Sequence, residues 1–95
     1  MAAYVIAQIE VTDPEQFETY RRQVPSTLQP YGGRYIIRGG QSETLEGAWQ
    51  PKRIVVLEFP DRTQANAWWA SQEYAPVKVL RQQSARTELI VIDGV

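Results

Sequence analysis

The sequence predicts an α+β sandwich in which four strands and two helices follow one another as β-α-β-β-α-β. Three observations carry that prediction. Ala3 to Val11 alternates apolar and wetter side chains with a period of two. Thr12-Asp13-Pro14 and Pro60-Asp61 each open a stretch with apolar residues at helical spacing. Arg34 to Arg38 and Lys52 to Phe59 read as two strands with no helix between them. This split βαβ order gives a four-stranded antiparallel sheet with both helices on one face.

Each element has its own signals. In the first strand Val5, Ala7, Ile9 and Val11 share one face, and Tyr4, Ile6, Gln8 and Glu10 the other. Thr12 or Asp13 can cap the first helix, Pro14 suits its first turn, and Glu15 or Gln16 can close a capping box. Phe17, Tyr20 and Val24 form its buried stripe, with Arg21 and Arg22 placed toward the C-terminal end of the macrodipole. Pro25 is expected to bend or restart this helix, Leu28 to continue its buried face, and Pro30-Tyr31-Gly32-Gly33 to stop it. The connection Gly39 to Pro51 is long for a hairpin, where loops of about 2–5 residues dominate, and long loops often carry function. Asp61 caps the second helix, with Gln64 at the box position and Ala65, Trp68, Trp69 and Gln72 at helical spacing. Ser71 and Pro76 predict a break, followed by a further helical turn or two bearing Val77, Leu80 and Arg81. Arg86 to Asp93 is the last strand. The sheet face away from the helices, with Tyr4, Ile6, Gln8, Glu10 and Glu58, is too apolar for water and too polar for a core. A partner subunit's sheet is its natural cover, so a homodimer is expected.

Composition narrows the function. Ninety-five residues make one domain, 1–95. Hydrophobic residues at 43% and charged residues at 22% describe a globular chain rather than a disordered one. Ten basic against eleven acidic side chains leave a formal charge of −1, with no basic field to hold nucleic acid. No long apolar run or basic amphipathic stretch points to a membrane partner. The N-terminal residues run directly into a strand pattern without a charged-then-apolar leader, so a cytoplasmic location is expected. The chain has no Cys and no His, which removes thiolates, the commonest general base and the commonest metal ligand. Acid–base chemistry is left to carboxylates, Tyr, Lys or Arg-polarised water. The acids are scattered singly, whereas oxygen-ligand metal sites want clusters of them. The expectation is therefore a colourless protein with no metal and no cofactor, whose activity survives chelation.

A set of local patterns is more specific. They are YGGRY followed by RGG (Tyr31 to Gly40), LEG-x-W (Leu45 to Trp49), Arg53, EFP (Glu58 to Pro60), WW-x-SQEY (Trp68 to Tyr74), Arg81 and the terminal Asp93-Gly94. Together, over nearly the whole chain, they resemble the domain-of-unknown-function family 1330, a branch of the dimeric α/β-barrel superfamily. The resemblance implies a ferredoxin-like protomer whose sheet pairs face to face with a second copy into a barrel. It implies no established activity. Superfamily relatives include small aromatic-compound monooxygenases, lactone isomerases and haem-binding enzymes, a kinship of fold only. The haem-binding relatives hold iron through a proximal His, which this chain lacks.

Each candidate site residue admits a functional and a structural reading. Arg38 and Arg53 can clamp a carboxylate with Glu58 as a base, or Arg–Glu pairing can merely fix register. Eight of the ten basic residues are Arg, which fits ion pairing better than a solvating surface but serves both readings. Trp49 and Trp69 can line a ligand pocket with the long loop as a lid, or Trp68 and Trp69 can divide between core and edge, since successive helical positions sit about 100° apart. Tyr74 is either an acid and hydrogen-bond donor or a satisfied half-buried tyrosine. Glu46 faces a substrate or sits in a turn whose Gly47 permits positive φ. The expected function is binding of a small apolar or aromatic acid in a cleft of the dimer, with cofactor-free isomerisation or oxygenation as its enzymatic form. The alternative is a non-catalytic, small-molecule-binding or stress-associated module.

Overall fold

A computed structural model describes residues 1–95. Its elements are β1 (Ala3–Val11), α1 (Pro14–Leu28), a 3-10 turn (Gln29–Tyr31), β2 (Arg34–Arg38), β3 (Arg53–Phe59), α2 (Arg62–Trp69), α3 (Ala75–Ser84) and β4 (Ala85–Asp93). The strands form one sheet in the order β2-β3-β1-β4, antiparallel throughout, as the predicted element order requires. Alternation in β1 buries Ala3, Val5, Ala7 and Ile9 against the helices.

Local chemistry sets the helix starts. Asp13 accepts from the Gln16 amide at 3.2 Å and Asp61 from the Gln64 amide at 2.8 Å, each satisfying a donor that the first turn leaves free. Ser71 ends α2 by donating to the Trp68 carbonyl (2.8 Å) and accepting from the Tyr74 amide (3.1 Å). Gly32, at φ 70°, closes the turn after α1 in the left-handed region that suits glycine.

The helical core is built around Trp68, 1% exposed. Its ring stacks on Tyr74 at 4.0 Å and meets Phe59 at 5.5 Å. Its Nε1 donates to Thr27 Oγ1 at 3.0 Å, and that hydroxyl donates onward to the Val24 carbonyl at 2.7 Å. A buried indole N–H is thereby satisfied across the α1–α2 contact.

Three features depart from expectation. Pro25 neither breaks nor restarts α1, which runs unbroken from Pro14 to Leu28. The buried stripe of Phe17, Tyr20, Val24 and Leu28 holds the helix through the lost hydrogen bond. Arg21 and Arg22 consequently sit mid-helix, where Glu18 pairs with them at 3.2 and 3.8 Å. Pro76 lies in the first turn of α3, a position that tolerates it, so this third helix reaches ten residues rather than a turn or two.

In β2, Tyr35 pairs with Leu57 but Ile37 pairs with Val56, so Ile36 is an extra residue at a bulge. The bulge shifts the alternation by one. Arg34 and Ile37 face away from the helices, while Tyr35 and Arg38 face toward them, opposite Leu57 and Val55. On the outer face Glu58 accepts from Tyr4 Oη (3.2 Å) and Arg34 Nε (2.7 Å). Ile37, Ile90 and Ile92 remain exposed there. The molecule measures 37 × 36 × 16 Å, a thin slab with one uncovered apolar face.

Candidate functional site

The helix side of the sheet holds the chemistry. Arg53 opposes Ile9 in β1, a buried helix-facing position, and the bulge brings Arg38 to the same side. Arg81 arrives from the buried stripe of α3, between Val77 and Ser84, and is 5% exposed. All three border one cavity of about 30 Å³ between sheet and helices, whose other walls are mostly apolar and aromatic. That is room for about one or two water molecules.

None of the three arginines is in an ion pair. Each lies instead near an aromatic ring: Arg38 at 4.3 Å from the Tyr35 centroid, Arg53 at 5.7 Å from Phe17 and Arg81 at 5.8 Å from Trp69. Such contacts contribute about 0.5–2 kcal/mol, well short of neutralising the charge on Arg81, which is buried, or on Arg53, which is half-buried, whereas Arg38 is exposed. The buried Nε atoms of Arg53 and Arg81 have no hydrogen-bond partner. No carboxylate borders the cavity, because Glu18 is held by Arg21 and Glu58 lies on the opposite sheet face. The guanidinium of Arg53 packs on Gly39, where a Cβ would lie 2.5 Å from Cζ; at φ 71° that position suits glycine on both counts.

The cavity adjoins an open groove of about 560 Å³ between α2, α3 and β4. Val5, Arg81 and Leu89 border both. Thr87 Oγ1, the third buried polar atom without a partner, borders this groove. All three buried side-chain polar atoms without a partner therefore belong to residues that line the cavity or its mouth.

Tyrosines supply the hydroxyls. Tyr20 and Tyr74 share a hydrogen bond at 3.0 Å inside the cavity wall. Burial, reinforced by the neighbouring Tyr74, pushes the Tyr20 phenol far above its ordinary range. Burial also raises Tyr35, with Arg38 opposing. Both stay protonated at neutral pH and act there as hydrogen-bond donors or very weak acids. The arrangement can receive and desolvate an anion and offer it donors, but its walls carry no carboxylate base.

The residues singled out by sequence divide between two faces. Arg38, Arg53 and Tyr74 meet at the cavity, and Trp69 lines its outer groove. Glu58 cannot serve those arginines: it faces Arg34 and Tyr4 across the sheet. Trp49 is 65% exposed and donates to Gln8 at 3.1 Å, so the long loop lies along the uncovered face and is no lid for the cavity. Glu46 is exposed beside Trp49. Arg81, Tyr20 and Tyr35, which the sequence reading placed only in elements or in the family pattern, are further residues of the site. A signal for Arg81 exists, since it falls in phase with Val77 and Ser84 on the buried side of its helix.

The fold is that of the ferredoxin-like α+β sandwiches, a class that solved structures also show. Over 99% of its length the chain is similar to a protein of unknown function from Rhodopseudomonas palustris (TM-score 0.77, 15% identity, 82% of that chain). It is likewise similar to SnoaB, a cofactor-independent oxygenase from Streptomyces nogalater (TM-score 0.68, 11% identity, 99% of this chain and 93% of that one). A dimeric ferredoxin-like protein of unknown function from Jannaschia matches with TM-score 0.67 and 11% identity, over 99% of this chain and all of that one. Identities this low establish the fold alone. No curated protein matches the chain in sequence. Residues 2–95 match the family described as domain of unknown function (DUF1330), and the chain belongs to that family.

Proposed function

We propose that the protein binds a small apolar or aromatic acid in the open groove between α2, α3 and β4, its carboxylate directed at the arginine-lined cavity that adjoins it, as a homodimer closed through its uncovered sheet faces. One observation carries the reading: Arg38, Arg53 and Arg81 converge on an apolar, aromatic-walled cavity with no carboxylate to answer them. Arg81 is buried, Arg53 half-buried and Arg38 exposed at the rim; leaving the inner guanidiniums unpaired is costly, and a bidentate oxyanion is the partner that suits them. In an enzymatic form of this reading the arginines stabilise a carboxylate or enolate, and the Tyr20–Tyr74 pair offers a hydrogen bond or a proton. Likeness in fold to a cofactor-independent oxygenase supports chemistry of that kind, oxygenation or isomerisation without a cofactor. A second reading, binding without turnover, is favoured by a cavity wall that carries no carboxylate base.

Benzoate and its neutral isostere benzamide test the site. Titrated calorimetrically, benzoate is expected to bind and benzamide to bind at least tenfold more weakly. Arg53→Gln and Arg81→Gln should each weaken benzoate about 10- to 100-fold, because hydrogen bonds to charged groups contribute about 1.5–3 kcal/mol. Equal binding of the two probes, or no effect of either substitution, would sink the reading.

A further inference from the structure

We infer that Pro25 is a positioning residue for the anion site, holding the Arg38 guanidinium through a backbone carbonyl rather than through an ion pair. This rests on the anion-binding reading above and adds how one of its cations is placed.

An arginine aimed into a site for an anion presents a design problem. The usual anchor, a carboxylate, would neutralise the charge the ligand needs. Arg38 is anchored otherwise. Its Nη2 donates to the backbone carbonyl of Arg21 at 3.1 Å. In an unbroken α-helix that carbonyl accepts from the N–H of residue 25, four positions on. Residue 25 is a proline inside α1, so that N–H does not exist. A proline ring also crowds the carbonyl four residues before it and tilts it away from the helix axis. The freed acceptor is neutral, so it orients Arg38 and leaves its charge available.

The β2 strand is built to meet it. Were Ile36 paired in a regular strand instead of bulged, strict alternation would put Arg38 on the side of Arg34 and Glu58, where a carboxylate waits. The bulge sends it to the helix side, within reach of the one α1 carbonyl that Pro25 releases. A proline in mid-helix is otherwise a pure cost in stability. Two local irregularities, a bulge and a helix proline, thus converge on one guanidinium.

The signature is a pair of effects with opposite signs. Pro25→Ala restores the intrahelical hydrogen bond, so the melting temperature should rise while benzoate affinity falls. The amide introduced at position 25 should be protected from hydrogen exchange, and Arg38 Nε should become more mobile by ¹⁵N relaxation. Benzoate dissociation should weaken about three- to tenfold. In an Arg38→Ala background the same substitution should raise stability and leave affinity unchanged, since the proline acts only through Arg38. Unaltered Arg38 order in Pro25→Ala would overturn the inference, as would an equal loss of affinity in the Arg38→Ala background. If the unsubstituted protein binds no benzoate, the anion-site reading fails, and Arg38 relaxation still decides whether Pro25 positions it.

Discussion

Tyr20 shows what burial does to a titratable side chain. Its phenol is buried among apolar neighbours and hydrogen-bonded to Tyr74, and both conditions disfavour the phenolate. The folded-state pKa is therefore raised above the ordinary value of about 10 that an unfolded tyrosine shows. A group raised in this way contributes stability that is complete below about pH 10 and is lost as pH climbs beyond it, because only the unfolded chain can release the proton. Tyr35, raised by burial against the opposing Arg38, acts in the same direction. Urea denaturation from pH 8 to 11 is expected to show stability falling above pH 10. Tyr20→Phe should flatten that fall without abolishing it. An identical alkaline limb in both proteins would refute the assignment.

Between elements, the decisive contact is the one that locks α2 to α1. Trp68 provides the surface that fills the core, yet its N–H needs a partner there, and Thr27 supplies it. Thr27→Val keeps the shape and removes the acceptor, leaving a buried donor unsatisfied at a cost of about 1–3 kcal/mol. Thr27→Ser keeps the hydroxyl and should cost less. The measurement is the urea midpoint with an unchanged slope. A loss no greater for Val than for Ser would show that packing, not the hydrogen bond, joins the helices. No helix of the protein is long and apolar enough to cross a membrane.

For the whole molecule, the slab shape sets the question of what covers the second sheet face. Ile37, Ile90 and Ile92 are exposed on it, Ile90 by 56%, and Trp49 lies beside Ile90. Sheets pack face to face about 10 Å apart through such side chains. The homodimer proposed above should therefore be disrupted by Ile90→Lys combined with Ile92→Lys. Light scattering at micromolar concentration is expected to give a dimer for the unsubstituted protein and a folded monomer for the double variant. A monomer before substitution would exclude this interface. A dimer that survives both changes would place the contact elsewhere.

Element order, helix caps and the two faces of β1 were legible in the chain because each is local. Asp13 and Asp61 cap the amides three residues on, and a period of two needs no distant information. Part of the site was legible too: Arg53 and Glu58 are five residues apart on one strand, an odd separation that puts them on opposite faces. Arg81 in the buried stripe of its helix could be seen in the same way. Two matters were decided only in three dimensions. The bulge at Ile36 reverses the face of Arg38, and nothing in the residues 34–38 themselves announces it, because a register shift belongs to a pair of strands. Whether a charge is paired is likewise not a local property. Arg38, Arg53 and Arg81 come from β2, β3 and α3, while the acids that might have answered them are held by other cations or turned to the far face of the sheet. Periodicity says which way a side chain points; only the folded chain says what it meets there.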